Sequence, residues 1–361
     1  MKTEYCFVLL GAALMTLAGC QKAAPAEDVN AWVYDDSEPV PVQMRSTSNL
    51  GVSSKAIKDG LVTGSVMSGL DIGVICVAEK TSDSTPLTWS ADLENSILID
   101  NRSVTTGDDG SVTFSPKVYY PFGNQYAYSF YSYYPYTNSD SEAATLSDGA
   151  YSITYSLGNT DILWASSKAT DYNNVAGFNA AYCRAVKKDG KESEYYPKLQ
   201  YKHLLTALTF RIVGKEADIE SYDIKVTGLQ IKGTSTKATL CVADSNGSDS
   251  GKLTGNGDGG SIGFTELSVA PGTTEKDLCT ILALPSASYS ATITLTHTVS
   301  GSVQTSTVDF TMGDATSGSS YEAGYIYYFT VTINDPEEAT VVETGLDEWQ
   351  TGTNPTPGTE I

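Results

Sequence analysis

The feature that most constrains this chain is the spacing of its apolar side chains, which return at every second residue and almost never with a sustained helical period. Tyr325, Tyr327, Phe329, Val331 and Ile333 alternate in this way, as do Tyr126, Tyr128 and Phe130, and as do Leu208, Phe210 and Ile212. A period of two puts such residues on one face of a strand, whereas a helix would need a period near 3.6. The 23 tyrosines, with abundant Ser, Thr and Gly, fit the same reading, because Tyr and Thr suit pleated, half-buried surfaces. Short strands separated by turn residues predict an all-β fold of the sandwich type.

The strands predicted in the first half are Ile72 to Val77, Ser96 to Asp100, Val112 to Phe114, Gln125 to Tyr136, Ile153 to Leu157 and Ile162 to Ala165. Between Lys168 and Tyr195 the pattern weakens and charge rises, which places a domain boundary near residue 190, to within about fifteen residues. The second half restarts with one long strand, Leu199 to Val213. It continues through Tyr222 to Val226, Leu229 to Ile231, Ala238 to Val242, Leu278 to Leu284, Ser290 to Val299, Ser302 to Phe310 and Tyr325 to Ile333. A Gly/Ser/Asp loop is expected over 244–261 and a loose Gly/Thr/Pro tail after Trp349.

The N-terminus carries a different signal. Lys2 precedes an apolar run from Phe7 to Ala18, the length of a signal-peptide core and too short for a spanning helix. It ends in Leu17-Ala18-Gly19-Cys20, which resembles the bacterial lipobox, where the cysteine is acylated and becomes the new N-terminus. The alternative is an ordinary secretory signal whose cleavage site contains a cysteine. Residues 1–20 are therefore read as a lipoprotein signal peptide with Cys20 as the lipid attachment point. Residues 21–38 read as a polar tether.

Net charge is −21, and no basic stripe is visible, so nucleic acid is not an expected partner. The acidity fits solubility outside the cell. Cys76, Cys183, Cys241 and Cys279 lack C-x-x-C spacing; buried free thiols are preferred over disulfides, with both left open. His203 and His297 are the only histidines, and neither belongs to a zinc motif. There is no G-x-S-x-G elbow. Gly255 to Gly260 matches G-x-G-x-x-G literally but lacks the strand before and helix after that the motif requires. Asp244-Ser245-Asn246-Gly247 reads as a turn, since the twelfth position of a calcium loop would be Gly255. Asp108 and Asp109 also read as turn residues. No catalytic residue, metal or cofactor is assigned, and the chain is not expected to be an enzyme.

Pro39-Val40-Pro41-Val42-Gln43-Met44-Arg45 alternates with Val40, Val42 and Met44 on one face. Its two prolines cannot donate to a ladder, so an edge strand is expected. Were this strand removed, three apolar side chains at about 1.5–3 kcal/mol each would leave a groove worth about 5–9 kcal/mol to refill. Unpaired edge groups in that groove would also seek a new strand.

Several ordered segments resemble the fimbrillin family of Bacteroidales lipoproteins, the type V pilins. They are the lipobox, Gly69 to Val74, Tyr119-Tyr120-Pro121, Tyr128 to Tyr136, Asp161 to Ala165, Leu199 to Phe210, and Tyr328 to Thr332 leading to Trp349. The resemblance covers nearly the whole chain. It implies two transthyretin-like Greek-key β-sandwich domains in tandem, here 46–190 and 191–361, after a tether and removable strand over 21–45. It also implies a trypsin-like protease that removes the N-terminal strand at Arg45 or, alternatively, Lys55, and a neighbouring subunit that supplies a strand in its place. The expected partners are other pilin subunits, that protease and, before cleavage, outer-membrane lipid. The expected location is the outer membrane and cell-surface fimbrium, reached through the periplasm. Candidate donor residues are Tyr325, Tyr327, Phe329, Val331 and Ile333, followed by Val341 to Leu346. Stalk, tip and anchor subunits share the overall pattern. The competing readings are a monomeric surface adhesin or glycan-binding lipoprotein using exposed tyrosines, and a secreted hydrolase on a β-sandwich.

Overall fold

The computed structural model describes residues 38–48, 56–58, 61–63, 67–81, 85–87, 89, 94–137, 145–191, 196–215, 219–313 and 320–348. The first half carries β1 (Met44–Ser48), β2 (Ala56–Lys58), β3 (Leu61–Thr63), β4 (Asp71–Thr81), β5 (Ile97–Thr105), β6 (Ser111–Val112) and β7 (Tyr126–Tyr134). It continues with β8 (Thr145–Ser147), β9 (Ala150–Ser156), β10 (Leu163–Ser167), β11 (Asp171–Tyr172), β12 (Val175–Ala176) and helix α1 (Ala180–Lys188). The second half carries β13 (Lys198–His203), β14 (Thr206–Gly214), β15 (Lys225–Thr234), β16 (Lys237–Asp244), β17 (Lys252–Gly255) and β18 (Gly260–Phe264). It closes with β19 (Lys276–Ala283), β20 (Tyr289–Val299), β21 (Ser302–Met312), β22 (Tyr325–Asp335) and β23 (Glu338–Glu348). The fold is almost entirely β, as the two-residue period predicts. No helix among the described residues is long and apolar enough to cross a membrane.

The N-terminal strands run in the order β5-β4-β7-β10-β13-β1-β6. β13 changes partner halfway: Lys198 to Tyr201 pair with β1, and Lys202 and His203 pair with β10. A strand that switches partners in this way makes the corner of a sandwich. Both sides of the corner feed one apolar cluster, with Ile72, Val74, Tyr128 and Phe130 from one and Met44, Val112, Leu199 and Tyr201 from the other. Helix α1 adds Ala181, Tyr182 and Ala185 to this cluster. Asn179 starts the helix by accepting the Tyr182 N–H at 2.8 Å, and Lys187 and Lys188 face the negative end of its dipole.

The C-terminal half is two four-stranded sheets, β19-β14-β22-β23 and β18-β15-β20-β21. Leu208, Phe210, Phe329 and Val331 of the first share a core with Val226, Ile231, Ile293 and Leu295 of the second. A third sheet, β17-β16-β9-β8, joins the halves, because β9 pairs antiparallel with β16 from Tyr151 to Ser156. Its Tyr151 and Ile153 belong to the same core as Ile75, Val77, Tyr131 and Tyr133, which point away from the N-terminal cluster. β4 and β7 are consequently covered on both faces, which explains their nearly unbroken burial.

Several details depart from the sequence reading. Sheet membership changes over between His203 and Thr206, later than residue 190, since β13 belongs with the N-terminal strands. Leu199 to Val213 is two strands rather than one, and Tyr222 to Ile231 is largely one strand, β15. The loop expected over 244–261 contains β17 and the start of β18. Asp244 does close a turn, accepting the Asn246 and Asp249 N–H groups at 3.0 and 3.3 Å. Cys76 and Cys183 are buried and Cys241 and Cys279 half-buried, and none of the four forms a disulfide.

A candidate strand-exchange site

The segment from Val40 to Ser48 lies in a slot with a wall on each side. Along its first part, Val42 N–H donates to Val118 at 2.9 Å, and Tyr120 N–H donates to Val40 at 2.9 Å. Further on, β1 runs parallel to β13, with Arg45 opposite Lys198 and Ser48 opposite Tyr201, and antiparallel to β6, with Met44 opposite Val112. The expected edge strand is therefore an inner one over β1. The prolines are accommodated because they precede it, where Pro41 makes only an isolated bridge to Tyr119.

Val42 and Met44 are buried, and Val40 packs partly buried against the same cluster. Val112, Phe114, Tyr120, Leu199 and Tyr201 belong to that cluster too. Burying Val42 and Met44 is worth about 3–6 kcal/mol, with Val40 adding less than a full side chain. Ser46, also buried, is held by its N–H and hydroxyl, which both donate to Gly110 at 2.7 and 2.8 Å. The Gly107 to Ser111 turn behind it is closed by Asp109, which accepts the Ser111 N–H at 2.9 Å. Bonds from the Ser111 side chain and backbone hold the Asp109 carboxyl below its usual range, and Arg45 adds to the effect. Tyr120, which the sequence offered only as part of a motif, is a wall of the slot. Its hydroxyl is buried without a hydrogen-bond partner, and burial pushes its pKa well up.

Arg45 presents an exposed side chain, but its backbone is paired with β13 on one side and β6 on the other, and its N–H donates to Pro197 at 3.1 Å. A protease needs a strand whose edges are free, so this bond is protected in the folded chain. A cut there would also leave Ser46 to Ser48 in the ladder. Cys20 and Lys55 lie outside the described residues.

The candidate donor residues Tyr325, Tyr327, Phe329, Val331 and Ile333 sit on β22, which is an interior strand. It pairs parallel with β14 from Ala207 to Gly214 and antiparallel with β23 along its whole length. Tyr327, Phe329, Val331 and Ile333 are buried, and Phe329 stacks on Phe210 with ring centres 5.2 Å apart. Withdrawing β22 would strip these side chains from the C-terminal core. The edge strand beside it is β23, which is paired on one side only within this sheet. Ala339 and Val341 face the core and Val342 faces outward, 59% exposed, while a bulge at Thr344 turns Leu346, 37% exposed, to the side of its partner Tyr327. Val342, Thr344 and Leu346 have the sequence spacing of Val40, Val42 and Met44.

No curated protein matches the chain. Among solved structures, a cell-adhesion candidate from Bacteroides uniformis is similar at 20% identity, covering 86% of this chain and 98% of that one with a TM-score of 0.49. The fimbrial anchor protein Mfa2 from Porphyromonas gingivalis is similar at 10% identity, covering 86% and 98% with a TM-score of 0.38. A fimbrilin from the same organism is similar at 12%, covering 88% and 93% with a TM-score of 0.37. The family model described as fimbrillin-like matches residues 62–349, which takes in every strand from β4 to β23, and the chain therefore belongs to the fimbrillin-like family.

Proposed function

We propose that this chain is a structural subunit of an adhesive cell-surface pilus that polymerises by exchanging strands between copies. The family match supports a pilus or adhesin subunit. The observation that carries the finer reading is the slot itself: Val42 and Met44 are buried on a segment held between β13 on one side and β6 on the other. In this reading the chain is exported through the periplasm as a lipoprotein acylated at Cys20 and held at the outer membrane. A trypsin-like protease then cuts at Lys55 rather than Arg45, so that all of β1 leaves with the lipid. β23 of a neighbour enters the vacated slot, placing Val342, Thr344 and Leu346 where Val40, Val42 and Met44 had been. Entry satisfies both the apolar pocket and the unpaired edges of β13 and β6.

A monomeric binder using exposed tyrosines is less well supported, because Tyr128, Tyr131, Tyr133, Tyr151, Tyr182, Tyr321 and Tyr327 are fully buried. Brief trypsin treatment of the full chain in detergent tests the proposal by intact mass and an unboiled denaturing gel. Cleavage at Lys55 with a ladder of heat-labile multimers is expected. A chain that is cut yet stays monomeric would overturn strand exchange.

A further inference from the structure

The hinge of β23 fixes where the next copy must sit. β14 starts beside the N-terminal half, where Leu204 N–H donates to Ile162 and Gly324 N–H donates to Leu205. β22 runs parallel to β14, so Tyr325 is near this junction and Ile333 lies with Gly214 at the far pole. β23 returns antiparallel, with Glu348 opposite Tyr325 and Glu338 opposite Asp335. Its free end is thus at the junction, and its hinge, the turn from Asp335 to Glu338, is at the far pole. Peeling from the free end swings β23 outward about that pole, reaching about 33 Å beyond it at 3.3 Å per residue.

The same pole carries exposed apolar side chains that the C-terminal core does not use. Tyr289 begins β20 near the junction, where Tyr321 stacks on it and also accepts from Thr206. Val299 ends β20 a strand's length away, and Val303 follows across the hairpin, 50% and 71% exposed. Thr298, paired with Val303, donates to Asp223 at 2.9 Å, which brings exposed Tyr222 beside them. The hinge adjoins this patch, because the Ser306 hydroxyl of β21 donates to Pro336.

The slot has a matching rim. β1 runs parallel to β13, and β13 runs toward the junction, so the Val40 end of the slot is the end remote from it. Tyr119, bridged to Pro41, and Phe122, 58% exposed, stand at that mouth. Lys117 is exposed beside them and Arg184 reaches Glu38 there, whereas the hinge turn carries Asp335, Glu337 and Glu338. A β23 entering from this mouth keeps the polarity of the strand it replaces.

Resting on the strand-exchange reading above, we propose that the Tyr222, Val299 and Val303 pole docks on the Tyr119 and Phe122 rim of a second copy of this chain. The contact is heterologous, so it repeats head to tail and extends a filament rather than closing a dimer. Exposed apolar patches at two sites on one surface, with opposite charge beside them, fit that use.

Full-length chains in which Cys6, Cys20, Cys241 and Cys279 are replaced by serine, bearing Phe122→Cys and Val303→Cys singly and together, test this with a short bismaleimide linker, before and after trypsin. Intermolecular coupling is expected in the double variant and in a mixture of the two single variants, and not in either single variant alone. It is expected strongly in trypsin-made multimers and weakly in concentrated uncut chains. Multimers that form without this coupling would overturn the docking while leaving strand exchange standing. Absence of multimers would count against strand exchange; coupling in uncut chains would then still uphold the docking, and its absence would overturn it.

Discussion

Asp161 is wholly buried and has two partners on its Oδ2, the His203 Nδ1 at 2.9 Å and the Val62 N–H at 3.2 Å. It therefore ties β3 to the corner strand β13. Removing it with Asp161→Ala should cost about 3 kcal/mol, since the His203 ring and the Val62 N–H lose a buried hydrogen-bond partner. An unchanged denaturant midpoint would show that the pair adds nothing. The sequence placed His203 outside any zinc motif, but its carboxylate partner sits 42 residues away and no local pattern connects the two. Asp109 behaves oppositely, because it is a local turn residue and was readable as one. Its folded pKa is lowered by Ser111, so what it adds to stability is present in full above the ordinary carboxylate range and disappears as pH falls through the lowered value. The melting difference between the native chain and Asp109→Ala should accordingly shrink to nothing in acid. A difference that persists there would mean the carboxylate is not what holds the turn.

Alternation along a strand reports its faces and not its edges, and this is why β22 was visible while its place inside the sheet was not. Its Phe329 fills the sandwich core, so Phe329→Ala should cost about 3–5 kcal/mol and lower the denaturant midpoint of the whole chain. Val342→Ser with Leu346→Ser should change the monomer's stability little, by about 0.5 kcal/mol at Val342, 59% exposed, and somewhat more at Leu346, 37% exposed beside Tyr327. The same pair should abolish multimers after cleavage. Multimers undiminished by that double change would remove β23 as the donor. The helix α1 was missed for a related reason. Its nine residues make too few turns for a period to stand out, and Ala180, Ala181 and Ala185 supply little contrast between faces. The Asn179 cap and the two terminal lysines were the signals that could have marked it.

For the whole molecule, two sandwiches in tandem suggest two units that melt separately, but the pairings argue for one. Hairpin β8–β9 comes from the first half and depends on β16 from the second, while its Tyr151 covers the outer face of β4 and β7. Trp164 on β10 reinforces this by donating to Val242 on β16 at 2.8 Å. Sequence patterning could place a boundary where strand signals fade, yet it could not show that a later strand, β13, returns to the first sheet or that β9 leaves it. A fragment ending at residue 190 lacks β13, so β1 and β10 each lose a partner and the slot loses a wall. That fragment should fail to give a cooperative melt, whereas the whole chain should melt in a single calorimetric transition whose enthalpy matches its van't Hoff value. Two resolved transitions, with the fragment reproducing the first, would mean that the β9–β16 ladder does not bind the halves into one folding unit.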